Sequence, residues 1–136
     1  MGKYGYNHGD FGWNELAVDN TQKAIEFYSQ LLAWQVEEMD MPDGKYHVLI
    51  NGEEKVGGIV AKDAEQAAGP SAWLPYITVD NVDEATAKAF DLGGKVIAPP
   101  IDIPVENGPR FAMIEDPSGA KLGLITYVAQ NAEAAV

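Results

Sequence analysis

A three-residue motif occurs twice in this chain of 136 residues, and the repeat constrains the fold more than any other feature. Val18-Asp19-Asn20 and Val79-Asp80-Asn81 are separated by 61 positions (79 − 18). Each motif ends an alternating stretch that is typical of a half-buried strand, and each precedes a segment with a helical apolar period. A single copy would leave a sheet edge and an apolar face unpaired. The repeat therefore predicts two modules that fold together.

The first half predicts a strand, a helix and three further strands. Asp19-Asn20-Thr21 offers N-cap oxygens at the start of the helix. The predicted buried stripe of that helix consists of Ala24, Phe27, Tyr28, Leu31 and Leu32. Three strands then follow within residues 35–60, with turns at Pro42-Asp43-Gly44 and Asn51-Gly52.

The second half predicts the same order of elements. The predicted buried stripe of its helix consists of Val82, Ala85, Ala89 and Leu92, and Gly93-Gly94 ends the helix. A strand begins at Lys95–Ala98, and Pro99–Pro109 is expected to be a long loop. Two strands, Arg110–Glu115 and Lys121–Val128, are joined by the turn Asp116-Pro117-Ser118-Gly119.

These elements predict an α+β fold in which two βαβββ modules in tandem form a curled mixed sheet around an open, barrel-like cleft. The expected divisions are an extended N-terminal arm at 1–10, one domain at 11–127 with modules at 11–61 and 73–127, a linker at 62–72 and a tail at 128–136. Two four-stranded sheets of this kind commonly curl into an open barrel or cleft.

Composition excludes several functions. Nine basic and 21 acidic residues give a net charge of −12, which argues against nucleic acid or an anionic membrane surface as a partner. The chain has no cysteine, so it has no disulfide framework, thiolate metal site or cysteine nucleophile. No apolar run approaches the length of a membrane span or forms a secretory signal. We therefore expect a cytoplasmic protein.

Two sequence features carry a resemblance to a known family. They are Phe27-Tyr28 with Leu31-Leu32 in the first helix, and Asp116-Pro117-Ser118-Gly119 before the last strand. With the duplicated arrangement over residues 11–127, the chain resembles the vicinal oxygen chelate superfamily. This superfamily includes glyoxalase I, bleomycin-resistance proteins, fosfomycin-resistance proteins and extradiol dioxygenases.

The resemblance also implies where a metal would bind. Metalloenzymes of the superfamily place His or Gln in the first strand of each module and Glu in the last strand. The corresponding positions here are Trp13, Leu74, Gly58 (or Gly57) and Gly123. None of these side chains has a lone pair suited to a divalent metal. We therefore expect no metal and no cofactor.

Strand parity points the side chains of Trp13, Glu15, Tyr76 and Thr78 into the predicted cleft. The resemblance implies that Gly58 and Gly123 also face it. Arg110 and His47 are further ligand-binding candidates. The two glycines predict a bare floor and hence a pocket, although Trp13 could instead fill the interior as core. Glu15 would be costly to bury alone, so we expect it to pair with Arg110, a tyrosine or a ligand.

Two function classes follow. The first is a glyoxalase- or bleomycin-resistance-like protein that binds a small aromatic or planar molecule without a metal. By resemblance, its cleft would lie at a homodimer interface. The alternative is a glyoxalase-like lyase, isomerase or dioxygenase with a non-standard site, in which Glu15 and His47 are the catalytic candidates. Trp34 and Trp73 are expected to pack at helix or module edges.

Overall fold

A computed structural model describes residues 4–41, 44–64, 67–105 and 108–127. The bounds of its elements are β1 Phe11–Val18, α1 Thr21–Leu32, β2 Gln35–Met41, β3 Gly44–Asn51, β4 Glu54–Ala61, β5 Ala72–Thr78, α2 Val82–Asp91, β6 Lys95–Asp102, β7 Arg110–Glu115 and β8 Lys121–Thr126. The predicted α+β class, with the βαβββ order in each half, is confirmed. The predicted tail at 128–136 and the turn residues Pro42 and Asp43 lie outside the described residues.

Contacts divide the chain into two compact units. The first unit is residues 14–74, and the second unit is residues 1–13 with residues 75–136. The strand order is β2-β3-β4-β1 in the first unit and β5-β8-β7-β6 in the second. In each unit the first and last strands of the repeat are parallel, and the remaining neighbours are antiparallel. The sheet is therefore mixed, as predicted.

Helix α1 begins as expected but packs differently from the prediction. The Asn20 side chain accepts a hydrogen bond from the Lys23 N–H at 3.0 Å, which caps the first turn. Three of its side chains pack against the core: Ala24, Ile25 and Tyr28. The stripe prediction is wrong for Phe27, Leu31 and Leu32, which are 59%, 62% and 44% exposed. The sheet covers a strip narrower than the apolar stripe, so the outer part of the stripe remains in solvent.

Helix α2 follows the prediction until its last turn. The Asn81 side chain accepts a hydrogen bond from the Glu84 N–H at 3.0 Å. The side chains that pack against the core are Val82, Ala85 and Ala89. Leu92 was expected to be buried but is 69% exposed. It lies beyond the last helical residue, where Gly93 turns the chain with a φ of +99°.

Strand β6 is longer than expected. The segment Pro99–Pro109 was predicted to be a loop, but β6 continues through Pro99 and Pro100 to Asp102. Proline cannot donate to a neighbouring strand, and it is tolerated at a sheet edge. Strand β6 is the outer strand of the second unit, and its register with β7 shifts on both sides of Ala98. The edge position explains why two prolines do not end the strand.

The segment before β1 is folded into turns, so the prediction of an extended arm at 1–10 is wrong for the described residues 4–10. The Asp10 carboxylate accepts hydrogen bonds from the Gly5 N–H at 2.9 Å and from the Asn7 N–H at 3.2 Å. These bonds, led by that from Gly5, hold the pKa of Asp10 below its usual value. Hydrogen bonds to the Asp10 carboxylate thus stabilise turns in this segment in place of an extended conformation.

Candidate functional site

Strand register decides which side chains share a face of the first unit. Glu15 on β1 lies beside Gly58 on β4, and Gly58 lies beside Val48 on β3. Neighbours in register point to the same face, and successive residues alternate. Leu16 and Ile59, one position further along, belong to the core on which α1 packs. Glu15 and Gly58 therefore lie on the opposite side of the sheet, here called the helix-free face.

Tyr46 covers the glycine on this face. A Cβ atom placed on Gly58 would overlap the hydroxyl group and ring of Tyr46. The Tyr46 hydroxyl donates a hydrogen bond to Glu15 Oε1 at 3.1 Å. The expected bare floor at Gly58 is therefore wrong, because an aromatic ring fills the space that a side chain would need. Of the three kinds of partner expected for Glu15, the structure provides a tyrosine.

The helix-free face of the second unit repeats this arrangement. Tyr76 on β5 lies beside Gly123 on β8, and a Cβ atom on Gly123 would overlap the Tyr76 ring. The ring of Phe111 meets that of Tyr76 edge-on, with centroids 6.1 Å apart. The bare floor predicted at Gly123 is likewise wrong. In both units a glycine on the last strand of the repeat accommodates a tyrosine ring.

Sequence reasoning missed Tyr46 and Phe111. A signal for Tyr46 existed, since it has the parity of Val48, which pairs with Gly58. Recognising it required the β3–β4 register, and register is set by strand pairing rather than by composition.

Thr78 was predicted to face the cleft, but its side chain has a structural role. It is 3% exposed, and its hydroxyl donates a hydrogen bond to the Gly5 carbonyl. Its backbone N–H donates to the Asp10 carbonyl, and its carbonyl accepts from the Gly9 N–H, each at 2.8 Å. The N-terminal turns therefore occupy the side of Thr78 that was expected to face a ligand. Trp13, also a candidate, is half-buried on β1.

Arg110 joins elements of the second unit. Its Nε and Nη2 atoms each donate to the Asp83 carboxylate at 2.9 Å, and Nη1 donates to Asp102 at 3.2 Å. The Arg110 hydrogen bonds lower the pKa of Asp83. The guanidinium thus links α2 to β6 and β7. Asp83 and Asp102 are therefore the partners that the structure gives to Arg110.

His47 lies on the opposite face of the sheet from Glu15. Its neighbour in register is Ile59, a core residue on the helix side. The imidazole is 13% exposed, and its Nδ1 atom is 4.0 Å from a carboxylate oxygen of Glu38. The sequence suggested Glu15 and His47 as joint catalytic candidates. Strand alternation separates them, so that joint site is wrong.

The described part of the chain gives two further results. Among the described residues, no group of three or more His, Asp or Glu side chains comes together as a metal site. Neither helix in the same ranges is long and apolar enough to cross a membrane.

Comparison with solved structures identifies the same architecture elsewhere. A hypothetical protein of Bacillus halodurans, BH1468, superimposes with a TM-score of 0.70 at 17% identity, covering 91% of this chain and 98% of that protein. Methylmalonyl-CoA epimerase from Mycobacterium tuberculosis gives a TM-score of 0.66 at 15% identity, covering 98% and 96% of the two chains. At these identities the likeness concerns the fold alone.

Sequence comparison identifies nearer relatives. A Mycobacterium tuberculosis protein named "Putative glyoxylase CFP32" is 38% identical over 120 residues, which is 88% of this chain and 44% of the relative. The Mycobacterium bovis protein of the same name matches equally. This chain therefore spans less than half the length of these relatives. The family model for the Glyoxalase/Bleomycin resistance protein/Dioxygenase superfamily matches residues 10–124. With this match over most of its length, the chain belongs to the glyoxalase/bleomycin resistance protein/dioxygenase superfamily.

Proposed function

We propose that the protein binds a small aromatic or planar molecule without a metal ion, on the helix-free face of the first unit. The observation that carries this proposal is the hydrogen bond from Tyr46 to Glu15 across the bare backbone of Gly58. An aromatic ring provides a flat apolar contact, and the adjoining carboxylate and phenol recognise a polar edge of a ligand.

The donor set at the superfamily's metal positions supports the metal-free part of the proposal. Those positions are occupied by Trp13, Leu74, Gly58 and Gly123. Tyrosine rings lie over both glycines, where glutamate ligands would project. Divalent metals bind imidazole and carboxylate, and these four residues supply neither. The residues present do not fit the metal that the superfamily resemblance implies.

An enzyme activity is the second candidate. A carboxylate that accepts a hydrogen bond from a phenol can take a proton from a bound molecule and return it, which is general acid–base chemistry. Glu15 and Tyr46 have this geometry, with 3.1 Å between the hydroxyl and carboxylate oxygens. Proteins of this fold include ones named putative glyoxylase and methylmalonyl-CoA epimerase, which supports an enzyme as a candidate. In this alternative Glu15 acts without His47.

The proposal includes a homodimer in the cytoplasm. In bleomycin-resistance-like proteins the ligand cleft commonly lies at a dimer interface, which supports this part of the proposal. The acidic composition argues against nucleic acid as a partner. Light scattering coupled to size-exclusion chromatography would give the mass of the particle. A mass near twice the 14.7 kDa of the chain is expected. A monomer at every concentration tested would contradict the dimer.

The first experiment addresses the metal. Metal-stripped protein is titrated with zinc, nickel, manganese and ferrous iron in a calorimeter. The proposal expects no binding tighter than about 0.1 mM. Stoichiometric binding in the micromolar range that disappears in Glu15→Gln would overturn the metal-free proposal and favour the enzyme.

The second experiment addresses the ligand face. Planar aromatic acids, amides and phenols are screened by protein-observed NMR, and the dissociation constant of the best ligand is measured for Glu15→Gln and Tyr46→Phe. We expect the affinity to fall about tenfold in each variant, since each removes a hydrogen bond to a charged group. Glu53→Gln, in the exposed β3–β4 turn, is the matched carboxylate control and should bind normally. Equal affinity in Glu15→Gln and in the control would contradict this site.

A further inference from the structure

A second aromatic surface lies on the helix side of the first unit, across the sheet from Glu15. Tyr28 of α1 stacks on Trp34, with centroids 5.9 Å apart and ring planes inclined by 22°. Trp73 stands edge-on to both rings, at 78° to Tyr28 and 82° to Trp34. Its indole N–H donates to the Tyr28 hydroxyl at 3.3 Å. The ring contacts and this hydrogen bond hold the two indoles at a right angle.

The two tryptophans form walls of an open cleft of about 300 Å³. The remaining lining residues are Asn14, Leu49, Val56 and Gly57. Leu49 is 1% exposed and forms an apolar base, whereas Trp73 is 40% exposed and stands at the opening. Asn14, on the exposed part of β1, contributes the polar group. The cleft thus has aromatic walls, an apolar base and one amide.

The backbone geometry keeps this cleft open. A Cβ atom on Gly57 would approach the Asn14 carbonyl oxygen to 2.5 Å, so a side chain there would force β1 and β4 apart. Close approach of the two strands therefore requires glycine at this position. As a consequence, no side chain rises from residue 57 into the space between the indoles.

The lining selects the class of occupant. None of the described residues that line the cleft is charged. The chain has a net charge of −12, which disfavours an anionic molecule. Perpendicular indoles provide one ring face for stacking and one for an edge contact, an arrangement suited to a planar molecule. The volume is at the lower end of the range for ligand sites, which limits the occupant to one or two rings.

We infer that the Trp34–Trp73 cleft is a second binding site, which takes a neutral planar molecule of one or two rings with a polar edge group bound by Asn14. This site does not rest on the proposed function, because Asn14 and Glu15 are successive residues of β1 and point to opposite faces. A negative binding result for the Trp34–Trp73 cleft therefore says nothing about ligand binding on the helix-free face, and the reverse also holds.

The test begins with the unmodified protein. Its three indole N–H signals, from Trp13, Trp34 and Trp73, are assigned in ¹⁵N-labelled protein with single Trp→Phe variants. The protein is then titrated with 2-naphthol, which is neutral, planar and carries one hydroxyl group. We expect saturable shifts of the Trp34 and Trp73 signals and a stationary Trp13 signal. Cyclohexanol, which has a hydroxyl group but no flat ring, should shift none of them.

Variants then assign the contacts. Trp73→Ala should weaken 2-naphthol binding about tenfold, whereas Trp73→Phe, which keeps an aromatic wall, should weaken it about threefold or less. Asn14→Ala should weaken 2-naphthol about threefold and leave naphthalene unchanged, because only the former has a group for the amide to bind. Circular dichroism melting checks the fold of each variant. If Trp73→Ala does not fold, Asn14→Ala still tests the site, because Asn14 is exposed and its substitution should not disturb the fold.

Three results would overturn the inference. The first is the absence of saturable 2-naphthol binding up to about 1 mM. The second is a shift confined to the Trp13 signal. The third is unchanged affinity in folded Trp73→Ala and Asn14→Ala together with a loss in Glu15→Gln, which would place the ligand on the helix-free face and support the proposed function alone.

Discussion

At the scale of single residues, the chemistry of the helix-free face depends on Gly58. A side chain at this position would displace Tyr46 from the place in which its hydroxyl reaches Glu15. The hydrogen bond from the phenol also stabilises the position of the partly buried Glu15 carboxylate. Glycine at position 58 is therefore required because it leaves room for the Tyr46 ring, and not because of its backbone conformation.

The first prediction concerns this space. Gly58→Ala should reduce the free energy of unfolding by about 1–3 kcal/mol, because the added methyl group overlaps the ring of Tyr46. Urea denaturation followed by circular dichroism measures the change. The same substitution in a Tyr46→Ala background removes the overlap and should cost less. An equal cost in both backgrounds would show that Tyr46 is not what restricts position 58.

At the scale of elements, one ion-pair cluster links a helix to two strands of the second unit. Arg110 on β7 contacts Asp83 on α2 with two hydrogen bonds and Asp102 on β6 with one. The three side chains are partly exposed, so solvent screens their attraction. The bidentate contact nevertheless defines the position of α2 geometrically. This structural role accounts for Arg110 without the need for a bound ligand.

The second prediction is a pH dependence of this cluster. Arg110 lowers the pKa of Asp83 in the folded protein from its ordinary value of 3.8. The stabilisation is therefore fully present above that value and is lost as the pH falls through the lower folded pKa. Asp83→Asn should lower Tm slightly at about pH 7, and this difference from the unmodified protein should shrink in acid.

A double-mutant cycle provides the control for this prediction. Arg110→Gln should show the same pH trend, and the double variant should lose less than the sum of the two single changes. A difference in Tm that persists unchanged in strong acid would mean that Asp83 acts through another contact.

At the scale of the whole molecule, residues 4–10 are part of the second unit. Tyr127 donates a hydrogen bond to the Gly12 carbonyl at 2.8 Å, and its ring meets that of Tyr6 edge-on at 5.0 Å. Burial raises the pKa of Tyr127, in keeping with a neutral phenol that serves the fold. The superfamily match begins at residue 10, so residues 4–9 add contacts outside the matched region.

The third prediction concerns this added segment. Deleting residues 2–9 removes the Gly5 acceptor of the buried Thr78 hydroxyl and should reduce the free energy of unfolding by about 1–3 kcal/mol. Hydrogen exchange should accelerate in β5, which loses the Gly9 N–H bond to Thr78. Adding Thr78→Val removes the hydroxyl group that has lost its Gly5 acceptor, so it should restore part of the stability. No change in stability or exchange on deletion would contradict this role.

Only part of the candidate site could be predicted from the sequence. Parity predicted that Glu15 and Tyr76 face inward, and the superfamily resemblance predicted the same for Gly58 and Gly123. The strand register adds that Glu15 lies beside Gly58 and that Tyr76 lies beside Gly123. Parity could not reveal that Tyr46 fills the space over Gly58, since this depends on a contact across two strands. Such contacts arise when strands pair, and neither spacing nor composition records them.

The sequence by itself determined the local structure of this protein. Asn20 and Asn81 cap the helices because their side-chain oxygens reach N–H groups three residues ahead, a short-range interaction. The tertiary structure alone decided how far β6 runs and which part of α1 is buried. Prolines are accepted at a sheet edge, and a helix buries whatever side the sheet covers, so both outcomes depend on neighbours distant in the chain.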